Sequence, residues 1–144
     1  MDKSLIVEKT VIIEAGPEKV WFALTDKESI KKYFFGTEAI SDWKVGSSLI
    51  FQGEWEGQTY QDKGTILESE PGKMLKYDYW TAWSGLDDKP ENYSLVTYRL
   101  SSSGEQTTLE LRQAGFANQE GFEHAQGGWD AVLSNLKKLL EGSL

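Results

Sequence analysis

Phe122-Glu123-His124-Ala125-Gln126-Gly127-Gly128-Trp129-Asp130-Ala131-Val132-Leu133-Ser134-Asn135-Leu136-Lys137-Lys138-Leu139-Leu140 is the most informative stretch of this 144-residue chain. Phe122, Ala125, Trp129, Val132, Leu133, Leu136, Leu139 and Leu140 step by three or four, with two adjacent pairs. That period puts them on one side of a long α-helix. Lys137 and Lys138 fall in its last turn, where cations suit the helix dipole, and Gly142 follows as a stop. Gly127-Gly128 interrupts the first half. Each glycine in a helix costs about 1 kcal/mol relative to alanine. The pair therefore predicts a kink, a late helix start or close approach of another group.

A helix with one apolar face needs a partner layer, and the residues before it read mostly as strands. Leu5 to Glu14 is β-branched and ends at Ala15-Gly16-Pro17. Pro17 suits the first position of a helix, which carries Val20, Ala23 and Leu24 at helical spacing. Thr25-Asp26-Lys27-Glu28 has a capping-box pattern for a second short helix, with Ile30 and Tyr33, leading into Phe34-Phe35-Gly36. Trp43-Lys44-Val45-Gly46 reads as a turn. Extended runs follow at Leu49–Trp55, Gln58–Glu68, Met74–Trp80, Tyr93–Leu100 and Thr107–Gln113. Glu56-Gly57, Pro71-Gly72, the polar loop Ser84–Asn92 and Ser101–Glu105 separate them. This order predicts an α+β class: a strongly curved antiparallel sheet of about six to seven strands wrapped around the C-terminal helix. Two short helices after the first strand close one end, and residues 1–144 form a single domain.

Composition excludes several functions. There are six Trp, six Tyr and six Phe, but no Cys and one His. Without Cys there is no disulfide, thiolate nucleophile, zinc–thiolate site or iron–sulfur cluster. The net charge is 15 − 23 = −8, and Arg99 and Arg112 are the only arginines. Nucleic acid is therefore not an expected partner. No apolar run approaches the roughly 18–20 residues of a membrane span, and the start has no long apolar segment of a signal peptide. The expectation is a cytoplasmic monomer.

Several motifs resemble the START-like (helix-grip, SRPBCC) superfamily. They are Ala15-Gly16-Pro17-Glu18-Lys19-Val20-Trp21 with Ala23-Leu24-Thr25-Asp26, and Ser41-Asp42-Trp43-Lys44-Val45-Gly46 ahead of a strand. Gly64, Glu68, Glu70-Pro71, Lys73 and Leu75 fit the same pattern, as do Gly115-Phe116 and Gly128-Trp129. Their order is similar to the branch named after activators of the heat-shock chaperone ATPase (Aha-type), over roughly residues 5–141. Gly16 and Ser47 depart from the commoner residues, as tolerable turn substitutions. The resemblance implies a seven-stranded sheet gripping the long helix, with a cavity between them. In the wider superfamily that cavity holds sterols, lipids, polyketides or plant hormones, and some members are cyclases. The eukaryotic chaperone activators carry an additional N-terminal domain, for which these residues leave no room.

Aromatic residues combine large apolar contact with polar tips, which suits a pocket with a few fixed hydrogen bonds. Candidate lining residues are Phe34, Phe51, Leu75, Tyr77, Tyr79, Val96, Tyr98, Leu111, Gln113, His124, Gly128 and Val132. Tyr77, Tyr79 and Tyr98 supply hydroxyls. Gln113 continues the inward face of Leu109 and Leu111. Trp21 and Trp129 read as packing anchors. Glu120, Glu123 and His124 share a helical stretch, but without a second histidine no metal is expected. Glu54 and Glu56 would share a strand face. Like Glu68/Glu70 and Asp87/Asp88, they carry no expected catalysis, and no cofactor is expected. The residues leave three readings open: a binding protein for a small hydrophobic molecule (lipid, polyketide or flavonoid-like), an interaction protein acting on a heat-shock chaperone, and a cyclase or isomerase.

Overall fold

The computed structural model describes residues 1–142. Its first strand, β1 (Asp2–Ile13), covers the predicted β-branched run. Pro17 opens α1 (Pro17–Thr25), and α2 (Lys27–Tyr33) follows directly. Asp26, not Thr25, caps α2. Its carboxylate accepts from the Ser29 N–H at 3.0 Å and the Ser29 hydroxyl at 2.8 Å. Thr25 instead donates to the Trp21 carbonyl one turn back, at 2.9 Å.

The remaining strands are β2 (Glu38–Ile40), β3 (Ser48–Trp55), β4 (Gln58–Glu70), β5 (Met74–Tyr79), β6 (Ser94–Ser103) and β7 (Gln106–Phe116). All pair antiparallel in one sheet of order β1-β7-β6-β5-β4-β3-β2. The three-residue β2 has no alternation to betray it in sequence. Glu56 and Gly57 form the tight β3–β4 turn with φ of 49° and 81°. Glu56 therefore leaves the strand, and the predicted shared face with Glu54 does not exist.

β1 and β2 are opposite edges of the sheet, so α1 and α2 carry the chain across its concave side. Helix α3 (Gln119–Leu140) returns along that side and packs chiefly on β1 and the short helices. Trp129, Val132, Leu133 and Leu136 form its buried face, over Val7, Ile13, Leu109 and Leu111 of the sheet. Polar ties hold its flank and far end. Lys9 pairs with Asp130 at 3.0 Å, Lys137 donates to the Ile12 carbonyl at 2.5 Å, and Glu141 accepts from the Glu14 N–H at 2.9 Å.

The glycine pair needs a corrected reading. Helix α3 is continuous from Gln119, so the helix does not start late. A Cβ built on Gly127 or Gly128 would meet nothing within 4 Å, so no group approaches closely either. Gly64 is the opposite case: a Cβ there would lie 1.8 Å from the Asp78 carbonyl oxygen, beside the β4–β5 irregularity between Ile66 and Glu68. Two stability changes of opposite sign follow, measured by urea unfolding. Gly127→Ala should stabilise by about 1 kcal/mol, since only helix propensity changes. Gly64→Ala should destabilise by about 2 kcal/mol or more, because backbone must move. A neutral Gly64→Ala would refute the close approach.

Candidate functional site

Five aromatic side chains form a closed ring of contacts between helix and sheet. Phe34 stacks on Phe51 with centroids 6.0 Å apart, and Phe51 meets Tyr77 at 5.8 Å. Tyr77 meets Tyr98 at 6.4 Å, and Tyr98 meets Trp129 edge-on at 6.0 Å. Trp129 closes the ring on Phe34 at 5.9 Å, also edge-on. Strand alternation explains the sheet members. Leu75 and Tyr77 on β5 face Tyr98 and Val96 on β6 in register, so both pairs point to the concave side.

The space bounded by Phe34, Phe51, Leu75, Tyr77 and Tyr98 is lined also by Leu24, Ile30, Tyr33 and Trp43. Its volume is about 10 Å³, room for about one water molecule. The open cavity implied by the resemblance is thus nearly filled by side chains. Tyr33 and Trp43 were missed in the sequence. Tyr33 sits on the apolar face of α2, which was its only signal, and Trp43 reads there as a turn residue. Burial raises the Tyr33, Tyr77 and Tyr98 hydroxyls well above the ordinary phenol range. At neutral pH they are protonated hydrogen-bond donors.

Gln113 does point inward, but its amide is already used. The Trp129 indole N–H donates to Gln113 Oε1 at 2.7 Å, and Gln113 Nε2 donates to Ser94 Oγ at 3.0 Å. Gln113 is thereby a clamp between α3 and β6. Tyr79, partly buried, donates to Asp62 at 2.5 Å and touches Phe51 at 6.1 Å. Val96, Leu111 and Val132 are core residues away from the central space.

His124 is a correction. It is exposed, because five residues before Trp129 corresponds to about 140° around the helix from the buried side. Gly128 is half-buried and also outside the central lining. Among the described residues, no group of three or more His, Asp or Glu side chains is placed to hold a metal. No described helix is long and apolar enough to cross a membrane.

Two measurements probe this site. Gln113→Leu should cost about 1–3 kcal/mol, because the buried Trp129 N–H and Ser94 hydroxyl lose their partner. A double-mutant cycle with Trp129→Phe should show coupling, and strict additivity would refute the clamp. Asp62 predicts a pH effect. Burial raises its carboxyl against the opposing hydrogen bond from Tyr79. The folded state therefore holds this proton more tightly than the unfolded one. The resulting stability is present in acid and lost as pH climbs through the raised range. Asp62→Asn should lose less stability than the parent between acid and neutral pH. Parallel stability–pH curves would contradict this.

The sequence profile described as Activator of Hsp90 ATPase homolog 1-like protein matches residues 14–141. No curated protein sequence matches the chain. The solution structure of ChR145 from Cytophaga hutchinsonii is 40% identical, with 99% of this chain and 97% of that one covered and a TM-score of 0.82. DynU16, from the dynemicin biosynthetic locus, shares the fold at 20% identity and TM-score 0.77, over 98% of this chain and 48% of that one. An HSP90 activator from Plasmodium falciparum shares it at 21% identity and TM-score 0.75, over 95% and 96%. The gripped C-terminal helix, the seven-stranded sheet and a profile match over nearly the whole length agree, and the chain belongs to the Activator of Hsp90 ATPase homolog 1-like family.

Proposed function

We propose that this protein binds a small aromatic or polycyclic molecule with carbonyl or hydroxyl acceptors, between the sheet and the helices, by opening the segment from Phe34 to Trp43. One observation carries the reading: three tyrosines, Tyr33, Tyr77 and Tyr98, line one space inside an aromatic ring, where Tyr98 donates to Tyr77. Donors suit acceptor-bearing ligands of the polyketide or flavonoid kind, while the rings supply apolar contact worth about 25 cal/mol per Å².

The filled interior requires a moving part, and the segment's backbone suits one. Phe35 and Trp43 adopt left-handed φ of 54° and 63°, and Gly36 lies at 77°. Left-handed backbone at a non-glycine residue costs about 1–2 kcal/mol. Between these points β2 pairs on one side only, through three residues. Outward movement here takes Phe34 and Trp43 off the central space. Sheet and α3 can stay in place, held by the Gln113 clamp. The biosynthetic-locus origin of DynU16 accords with a small-molecule role, by likeness of fold alone.

The test is a ¹⁵N NMR titration with naringenin, and with lauric acid as the purely aliphatic comparison. Saturable shifts at Phe34, Trp43, Tyr77 and Tyr98 are expected with naringenin. Tyr77→Phe should weaken binding about fivefold, the value of one hydrogen bond. Shifts confined to exposed residues would overturn the reading. Family membership favours a second one, action on a chaperone ATPase. It predicts stimulation of that ATPase by the purified protein, and no stimulation at saturating protein would remove it.

A further inference from the structure

The convex face of the sheet carries a charged groove, independent of the interior. There the outward residues of five strands fall into rows. Glu8, Arg112, Thr97, Lys76 and Glu68 are in register across β1, β7, β6, β5 and β4. Thr10, Glu110, Arg99 and Met74 form the adjacent row. Both arginines of the chain thus lie on one face as diagonal neighbours on paired strands, a separation of about 7–8 Å. A groove of about 180 Å³ opens beside them, lined by Arg99, Arg112, Lys76, Thr97, Glu8 and Glu110.

A simple charge ladder would close each arginine onto the glutamate facing it. Arg112 faces Glu8 and Arg99 faces Glu110. Yet neither guanidinium makes an ion pair within 4 Å among the described residues. Lys76 reaches Glu68 only at 3.8 Å. Thr97, 9% exposed, forms the floor. Four cationic residues, Lys9, Lys76, Arg99 and Arg112, and two carboxylates therefore line an open groove, with the Lys9 amine held by Asp130 at 3.0 Å, in a chain of net charge −8. Arg99 and Arg112, diagonal neighbours beside Thr97 on one groove, carry the planar forks that suit an oxyanion.

We propose that this groove binds the oxyanion end of a small phosphorylated or carboxylated molecule, with Arg99 and Arg112 as the two forks. Glu8 and Glu110 line the same groove and weaken binding by repulsion. Affinity for a bare ion should be modest, since the site is solvent-exposed and salt-screened.

The test uses the full chain, with inorganic phosphate and succinate titrated separately at constant ionic strength. Arginine Nε–Hε and Thr97 amide signals are followed by NMR, with sodium chloride as the control. Saturable, millimolar-range shifts at Arg99, Arg112 and Thr97 are expected with at least one probe. Saturation by phosphate alone identifies a phosphorylated ligand, and saturation by succinate alone a carboxylated one. Arg99→Gln should weaken binding about tenfold, the worth of one charge-assisted bond. Glu110→Gln should tighten it about twofold by removing a repulsive charge. Both residues are exposed, and an unchanged amide spectrum elsewhere confirms that the variants fold. Linear shifts matching chloride for both probes, unchanged saturation in Arg99→Gln, or no tightening in Glu110→Gln would each overturn the proposal.

Discussion

The indole N–H of Trp129 reaches Gln113 Oε1 at 2.7 Å, and the rest of the interior is arranged around that bond. It joins the long helix to β7, the strand beside the edge strand β1, at one fixed height. The alternative is two buried polar groups without partners, which is expensive in a low-dielectric core. Among apolar contacts, a helix sliding along a sheet loses little until it has moved a full turn. A directional hydrogen bond removes that freedom. With Trp129 fixed, its ring touches Phe34 on one side and Tyr98 on the other. The aromatic ring closes as a consequence.

That closure explains why a fold built as a grip has so little space inside. Phe34 comes from the loop after α2, not from the sheet or α3, and it fills the place where an internal cavity would be. The groups behind it differ from ordinary core. Three tyrosines bring hydroxyls into the interior, and Tyr98 donates to Tyr77 there.

Much of this was legible in the chain. The period of Phe122 to Leu140 gave the helix and its buried face. Alternation in Met74–Trp80, Tyr93–Leu100 and Thr107–Gln113 gave the inward residues correctly. Phe34, Phe51, Leu75, Tyr77 and Tyr98 do meet. What failed had physical causes. His124 stands among the candidate lining residues, although helical rotation turns it to solvent. The glycine pair suggested close approach, because helix propensity reports a cost without reporting what faces it. β2 is too short to show a period, and Trp43 joins the lining only through tertiary placement of a loop. Gln113 was right in direction, but a polar group pointing inward does not reveal whether its partner is a ligand or a tryptophan.

The same alternation sets the two faces of the sheet in one register. Strands β6 and β7 send Val96, Tyr98, Leu111 and Gln113 inward, and Thr97, Arg99, Glu110 and Arg112 outward. A slip of one residue would exchange the sets, turning two guanidiniums inward and exposing Tyr98 and Gln113. The concave packing therefore fixes the position of the convex charges. Gln113 secures β7 from the inside, and its neighbour Arg112 inherits that fixed position on the outside. Arg99, next to Tyr98, is held in the same way through the edge-on contact with Trp129. The guanidinium pair rests on a backbone as ordered as the core itself.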